Sequence, residues 1–339
     1  NENLVHLDWG KDHNWQLSLF PNNLRSSDYE IRTSTGEVFS KGMNKTFEGF
    51  EHSSGGNARL TVDTDFIYGY IESGGERFFI EPLWYYDRSA PRNLFVVYDE
   101  HEVIPRDDAK CASHEMHEHS EKLENHDENQ EKSVGLCYDV ELAIASDYLM
   151  FLDYNSSIPD VENHNIGVLN NVQGNYDDEF ADELNFVIVT QFVSNCNTCD
   201  PWTNSTAAGT LLSSFRTWGN GGGFGGVTYD LAQLWTDRDL NGGTVGIAYL
   251  NAVCNNNRYQ VDQDFSSTAW QLRVLVAHET GHNFSASHDA AGSGFIMAPS
   301  VNNSNTWSTA SVNSINSFVD SRSCLAICAP PAPPTAAFT

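Results

Sequence analysis

The second half of this chain has no lysine. Residues 133 to 339 carry five basic residues, all Arg, against 20 Asp and Glu, while residues 1 to 132 carry 13 against 26, for a net charge of −28. So few cations repel phosphate-rich surfaces, which excludes nucleic acid and anionic lipid as partners. No apolar run reaches 18 residues, so no membrane span is predicted. The chain opens NENLVHLDWG without initiator Met, basic leader or apolar stretch, so any export signal is expected to have been removed or left out. Two further scarcities matter below: no Glu follows Glu279, and the only histidines after residue 132 are His164, His278, His282 and His288.

What is present is ample for packed cores: 40% hydrophobic residues, with 8 Trp, 13 Tyr and 19 Phe. Cysteines number seven, an odd count that leaves one thiol over in an oxidising compartment. Cys111 is the expected spare, and the other six allow up to three disulfides.

The chain is organised around HETGHNFSASHD, His278 to Asp289. An apolar run from Trp270 to Val276 follows Ser266 and Ser267, a capping pair, and predicts a buried helix that carries His278 and His282 one turn apart. That spacing presents two imidazoles to one zinc ion, with Glu279 between them able to take a proton from an attacking water. A hydrolytic zinc site needs a third protein ligand and an open fourth position. With no Glu downstream, His288 is the third ligand by elimination, ahead of Asp289 and Asp320.

HETGHNFSASHD followed by FIMAPS resembles the extended signature HExxHxxGxxHD and the Met-turn of the metzincins, and the Asp after the third His resembles the adamalysin (reprolysin) branch. The resemblance implies zinc on His278, His282 and His288, Glu279 as general base, Met297 as the apolar floor beneath the metal, and Asp289 as structural support. One position departs. The family glycine falls on Ser285, and a residue with a Cβ in a left-handed turn costs roughly 1–2 kcal/mol.

Along the chain, residues 1–105 alternate apolar and polar residues between Asn-Asn and Gly-Gly turns and are expected to form a β-rich unit. GYIESGGERFFIEPL resembles the end of a reprolysin-type propeptide, and a β-sandwich binding module is the alternative. Residues 106–132 are too charged to bury a core and read as an exposed linker, where His114, His117, His119 and His126 are solvated. Cys111 lies in this linker. A thiolate in the fourth zinc position would displace water, which resembles the cysteine switch of metzincin zymogens, although the flanking residues lack the usual proline motif. A disulfide to Cys137 or another cysteine is the competing reading.

Residues 133–328 read as the catalytic domain, in the order strand, helix, strand, helix, strand, strand, helix, which is also that of the metzincin upper subdomain. TVGIAYL resembles its substrate-pairing edge strand, an arrangement that gives affinity through main-chain bonds. SVNSINSFVDSRSC predicts a last amphipathic helix, and loop residues near 298 to 310 would line the pocket that sets substrate preference. By the same resemblance Cys254 pairs with Cys324 or Cys328. Cys196 and Cys199 form a local bridge or two long-range ones. TDRDLNGG has the D-x-D-x-N-G opening of a calcium loop but Ala248 at its twelfth position, so it is expected to be a turn, with calcium a minor candidate cofactor beside zinc. Residues 329–339 are a Pro/Ala linker whose PPTAAFT resembles the start of a polycystic-kidney-type domain, so a further C-terminal module is expected.

The expected fold is an α/β (α+β) metzincin domain with a mixed twisted sheet and a zinc helix, preceded by a β-rich prodomain. The expected function is that of a secreted, monomeric zinc endopeptidase in proenzyme form, which acts on proteins or peptides and is held latent by its own propeptide. The rivals are a catalytically inactive zinc-binding or adhesion protein, and a zinc amidase acting on non-protein amides.

Overall fold

The computed structural model describes residues 2–10, 13–106, 108–112, 135–177, 179–181 and 183–328. The four linker histidines and the Pro/Ala tail lie outside the described residues. Sixteen strands are found among the described residues: β1 Asn3–Asp8, β2 Asn14–Pro21, β3 Arg25–Thr33, β4 Val38–Ser40, β5 Thr46–Glu51, β6 Asn57–Asp63, β7 Phe66–Ser73, β8 Glu76–Pro82, β9 Phe95–Asp99, β10 Lys110–Cys111, β11 Cys137–Ser146, β12 Glu183–Val193, β13 Leu231–Thr236, β14 Thr244–Ala248, β15 Tyr259–Gln263 and β16 Ala326–Ile327. The helices are α1 Tyr148–Asp153, α2 Ile158–Tyr176, α3 Ala208–Asn220, α4 Ala269–Asn283 and α5 Thr309–Asp320.

Most of the front half forms one antiparallel sheet of seven strands, β1-β2-β5-β6-β7-β8-β9. Its period-two patterning is two-sided. Phe66, Tyr68 and Tyr70 on β7 join the large central core, and Ile71 turns into a smaller cluster with Trp15, Leu17 and Leu60. The front half is not wholly separate, however. The second sheet runs β10-β14-β15-β13-β11-β12-β3-β4, with β16 also on β11, so β3–β4 and β10, all from the front half, stand at its two ends.

This second sheet is mixed as expected: β12, β11, β13 and β15 run parallel, and β14 pairs antiparallel with β15. The sequence reading counted no strand at Tyr259–Gln263, although four of its five residues are buried. That strand is short and follows an irregular stretch, so its pattern is easily lost. Residues 108–112, expected in an exposed linker, are ordered against the sheet: Lys110 and Cys111 pair parallel with Thr244 and Gly246, and Val301 N–H donates to Ala109 O.

Helix α2 lies between the two sheets and is buried on nearly every side. Its polar residues are met by cations of the front half. Arg25 and Lys45 bind Glu162 at 2.9 and 2.7 Å, Arg92 binds Asp160 at 2.5 Å, and Arg59 pairs with Asp177. Three disulfides close the back half, Cys137–Cys328, Cys196–Cys199 and Cys254–Cys324, and Cys111 takes part in none of them. The competing Cys111–Cys137 bridge is therefore excluded in this structure.

Candidate metal centre

Every residue of helix α4 is buried, the apolar run from Trp270 to Val276 and the polar residues alike, which fits a helix threaded through a core. It starts at Ala269. Ser266 bonds Thr268, which stands at the N-cap and whose hydroxyl donates to the Gln271 side chain at 3.2 Å rather than accepting from a helix amide. At the far end Ser285 N–H donates to His282 O and Ala286 N–H to Gly281 O, the paired bonds that close a helix with a left-handed residue after its cap. Ser285 is that residue, with φ +82°. The departure from glycine is therefore absorbed without displacing the chain, and Ser314 Oγ steadies the turn by donating to Ser285 O at 2.8 Å.

That turn brings His288 back over the helical pair. His288 Nε2 lies 3.1 Å from both His278 Nε2 and His282 Nε2, and Cys111 Sγ lies 3.5 Å from His282 Nε2. The four ligand atoms sit within 4.8 Å of one another. A tetrahedral zinc with bonds of about 2.0–2.1 Å to nitrogen and about 2.3 Å to sulfur would space them about 3.3 and 3.6 Å apart, so the donor set fits that ion. The rings are oriented from behind. His278 Nδ1 lies 2.7 Å from Ile296 O and His282 Nδ1 2.7 Å from Ala286 O. A carbonyl only accepts, so each ring carries its proton on Nδ1 and offers a lone pair from Nε2. Burial lowers the pKa of His278 to about 4, against a partial offset from the Ile296 carbonyl, which keeps the ring neutral as a ligand must be.

Glu279 is fully buried, and burial raises its pKa well above the ordinary value. Asp262 adds to the rise. Neither carboxylate oxygen has a protein hydrogen-bond partner of good geometry among the described residues, though the Cys111 thiol lies near enough to offset part of the shift. The space for this carboxylate comes from Gly246 on β14, where a Cβ would stand 2.4 Å from Glu279 Oε1. Sequence reading had passed over Gly246; its only signal was a glycine inside a strand pattern. Met297 is buried beneath the helix at Gly281, where a Cβ would meet its sulfur at 2.7 Å. Asp289 ties the parts together: its N–H donates to Met297 O, and its Oδ1 accepts from Ser308, the N-cap of α5.

Other candidates fall away. His164 is buried on α2 against Tyr154, far from the triad in its contacts, with its pKa lowered to about 3 by burial. Calcium on TDRDLNGG is not supported: no group of metal-ligating side chains gathers there among the described residues. Arg238 turns inward from this segment and pairs with Asp147 at 2.7 Å and with Asp200. The segment is a turn that ends in a short 3-10 stretch at Asn241–Gly243.

Three imidazoles from a helix and its following turn, an adjacent buried glutamate and a methionine packed beneath the helix make a group that could hold a metal ion. Residues 158–323 match the model of the Metallo-peptidase family M12B Reprolysin-like. A protein named as a zinc metalloproteinase-disintegrin-like, from Cerberus rynchops, is 26% identical over 232 residues, which cover 66% of this chain and 36% of that protein. Over this segment the chain is an adamalysin/reprolysin-like metzincin. It spans about a third of the length of that curated relative.

Proposed function

We propose that this chain is a zinc endopeptidase in latent form, secreted through an oxidising compartment. The observation that carries the reading is the convergence of Cys111 Sγ with the three histidine nitrogens. His278, His282 and His288 would hold zinc, which when bound supplies the Lewis acidity that activates water near neutral pH and polarises a peptide carbonyl. Glu279, made basic by burial, accepts the proton of the attacking water and returns it to the departing amine. Edge strand β14 offers its main chain to an extended peptide, and β10 covers that edge while Cys111 fills the fourth ligand position.

Residues 1 to about 132 thus act as the chain's own inhibitor. The three disulfides and the lack of any long apolar helix among the described residues suit secretion. The inactive alternative rests on Ser285 and on the long β-rich front half; against the first, Ser285 adopts a left-handed turn after the helix. The reading is tested by titrating thiols in the uncut, zinc-loaded chain with and without chelator. Cys111 should react only after zinc is removed, and free labelling with zinc bound would refute latency by this thiol. Glu279→Gln, with the front half removed, should keep zinc and lose cleavage of a denatured protein by about two to four orders of magnitude.

A further inference from the structure

Helix α4 receives its capping bond from outside its own segment. The N–H of Ala269 donates to Oε1 of Glu81, on β8, at 2.8 Å. The same oxygen accepts from Tyr86 Oη at 3.2 Å and from Tyr98 Oη. Two residues earlier, Phe79 packs edge-on against Trp270 with ring centroids 5.4 Å apart. Gln271 Nε2 donates to Ile104 O, again in the front half, at 2.8 Å. A buried carboxylate therefore sits against the orphan amides and positive dipole end of the helix.

We propose that Glu81 is a positioning residue for the zinc helix: the front sheet supplies the capping carboxylate that α4 lacks, and so fixes the start of the helix whose far end carries His278, Glu279 and His282. The inference goes beyond latency, because it concerns a contact of the uncut chain separate from Cys111. It also gives the contact a pH dependence. Burial raises the pKa of Glu81 from 4.5 to about 7, with Tyr98, the Ala269 amide and Tyr86 opposing the rise. Its other oxygen, Oε2, is buried without a hydrogen-bond partner among the described residues, which leaves it as the atom for the proton.

A carboxyl whose pKa is raised on docking holds its proton more tightly docked than undocked. The contact is therefore strongest below pH 4.5 and weakens about tenfold per unit as pH rises to about 7. The phenols of Tyr68, Tyr85, Tyr86 and Tyr98 interact with Glu81, and Arg273 on α4 and Asp264 just before it are titratable groups of the adjoining segment. Burial raises all four phenols, so they stay neutral through this window. Arg273 is lowered only to about 9 and stays charged, while Asp264 is raised to about 8 and needs its own control.

The test is hydrogen exchange of the amides of residues 269–272 in the zinc-loaded full chain from about pH 5 to about pH 8, corrected for intrinsic rates. Wild-type protection should fall with rising pH up to about 7. Glu81→Gln, of the same shape but unable to titrate, should give a flat profile; Asp264→Asn should keep the wild-type slope. Glu81→Ala should lose at least about tenfold protection at every pH. Unchanged protection in Glu81→Ala, or a wild-type slope in Glu81→Gln, overturns the proposal. Should Glu81→Ala not fold, the Glu81→Gln slope decides alone. Nothing in this measurement reads peptide cleavage, so its failure is distinct from failure of the protease reading.

Discussion

The nine-stranded sheet has two outer ends, both supplied by the front half, and they are built differently. At one end β3 aligns Glu30 to Thr33 with Thr190 to Val193 of β12, buries Tyr29 and Ile31, and anchors Arg25 on Glu162 with both side chains nearly out of solvent. At the other end β10 is two residues long and shifts register between them. Main-chain bonds fasten it, from Cys111 N–H to Pro299 O at 3.1 Å and from Ala112 N–H to Gly246 O at 3.0 Å, and the apolar residue it buries is Ala109. Apolar burial and buried ion pairs make the first end part of the fold. The second depends on a few exchangeable hydrogen bonds, and it carries Cys111 to the histidine triad.

Breaking the strong end should have the largest effect on stability. Glu162→Ala leaves Arg25 buried without its counter-ion and removes a partner of Lys45, which should cost about 3–5 kcal/mol in denaturant unfolding. A loss below about 1 kcal/mol would mean that this end is no more integral than the other. At the weak end, Cys111→Ser should change unfolding stability by less than about 1 kcal/mol while the uncut chain begins to cleave a short peptide. If the variant instead unfolds as readily as Glu162→Ala, the contrast between the two ends disappears. The smallest effect is expected at Ser285, beneath the weak end. Its φ of +82° suits glycine, so Ser285→Gly should raise stability by about 0.5–1 kcal/mol in thermal unfolding, and a loss would show that the bonds to Ser314 matter more than the backbone.

Much of the site could be read without a structure because it is local. His278 and His282 share a helix face by their spacing alone, and His288 follows within one turn and a short loop. Scarcity helped as much as pattern: with no Glu after Glu279, the third ligand was nearly forced. Helix α2 shows where such reading stops. Asp160, Glu162, Asn163 and Asn170 look like a solvent face, yet all are buried, because the front sheet covers them and its cations and hydroxyls answer them. Gly246 and Glu81 were passed over for the same reason, since neither contacts α4 through neighbours in sequence.

The sequence by itself determined what is local: most of the strands, the helix that carries His278 and His282, the spacing of His288 and Glu279 from that pair, and the odd thiol. Only the tertiary structure decided that Cys111 sits over the triad from 171 residues away, that Cys137 reaches Cys328 across 191 residues, and that β3 and β10 enter the catalytic sheet. Periodicity states which face of an element is apolar, not which other element will cover it. That choice depends on burial summed over the whole chain.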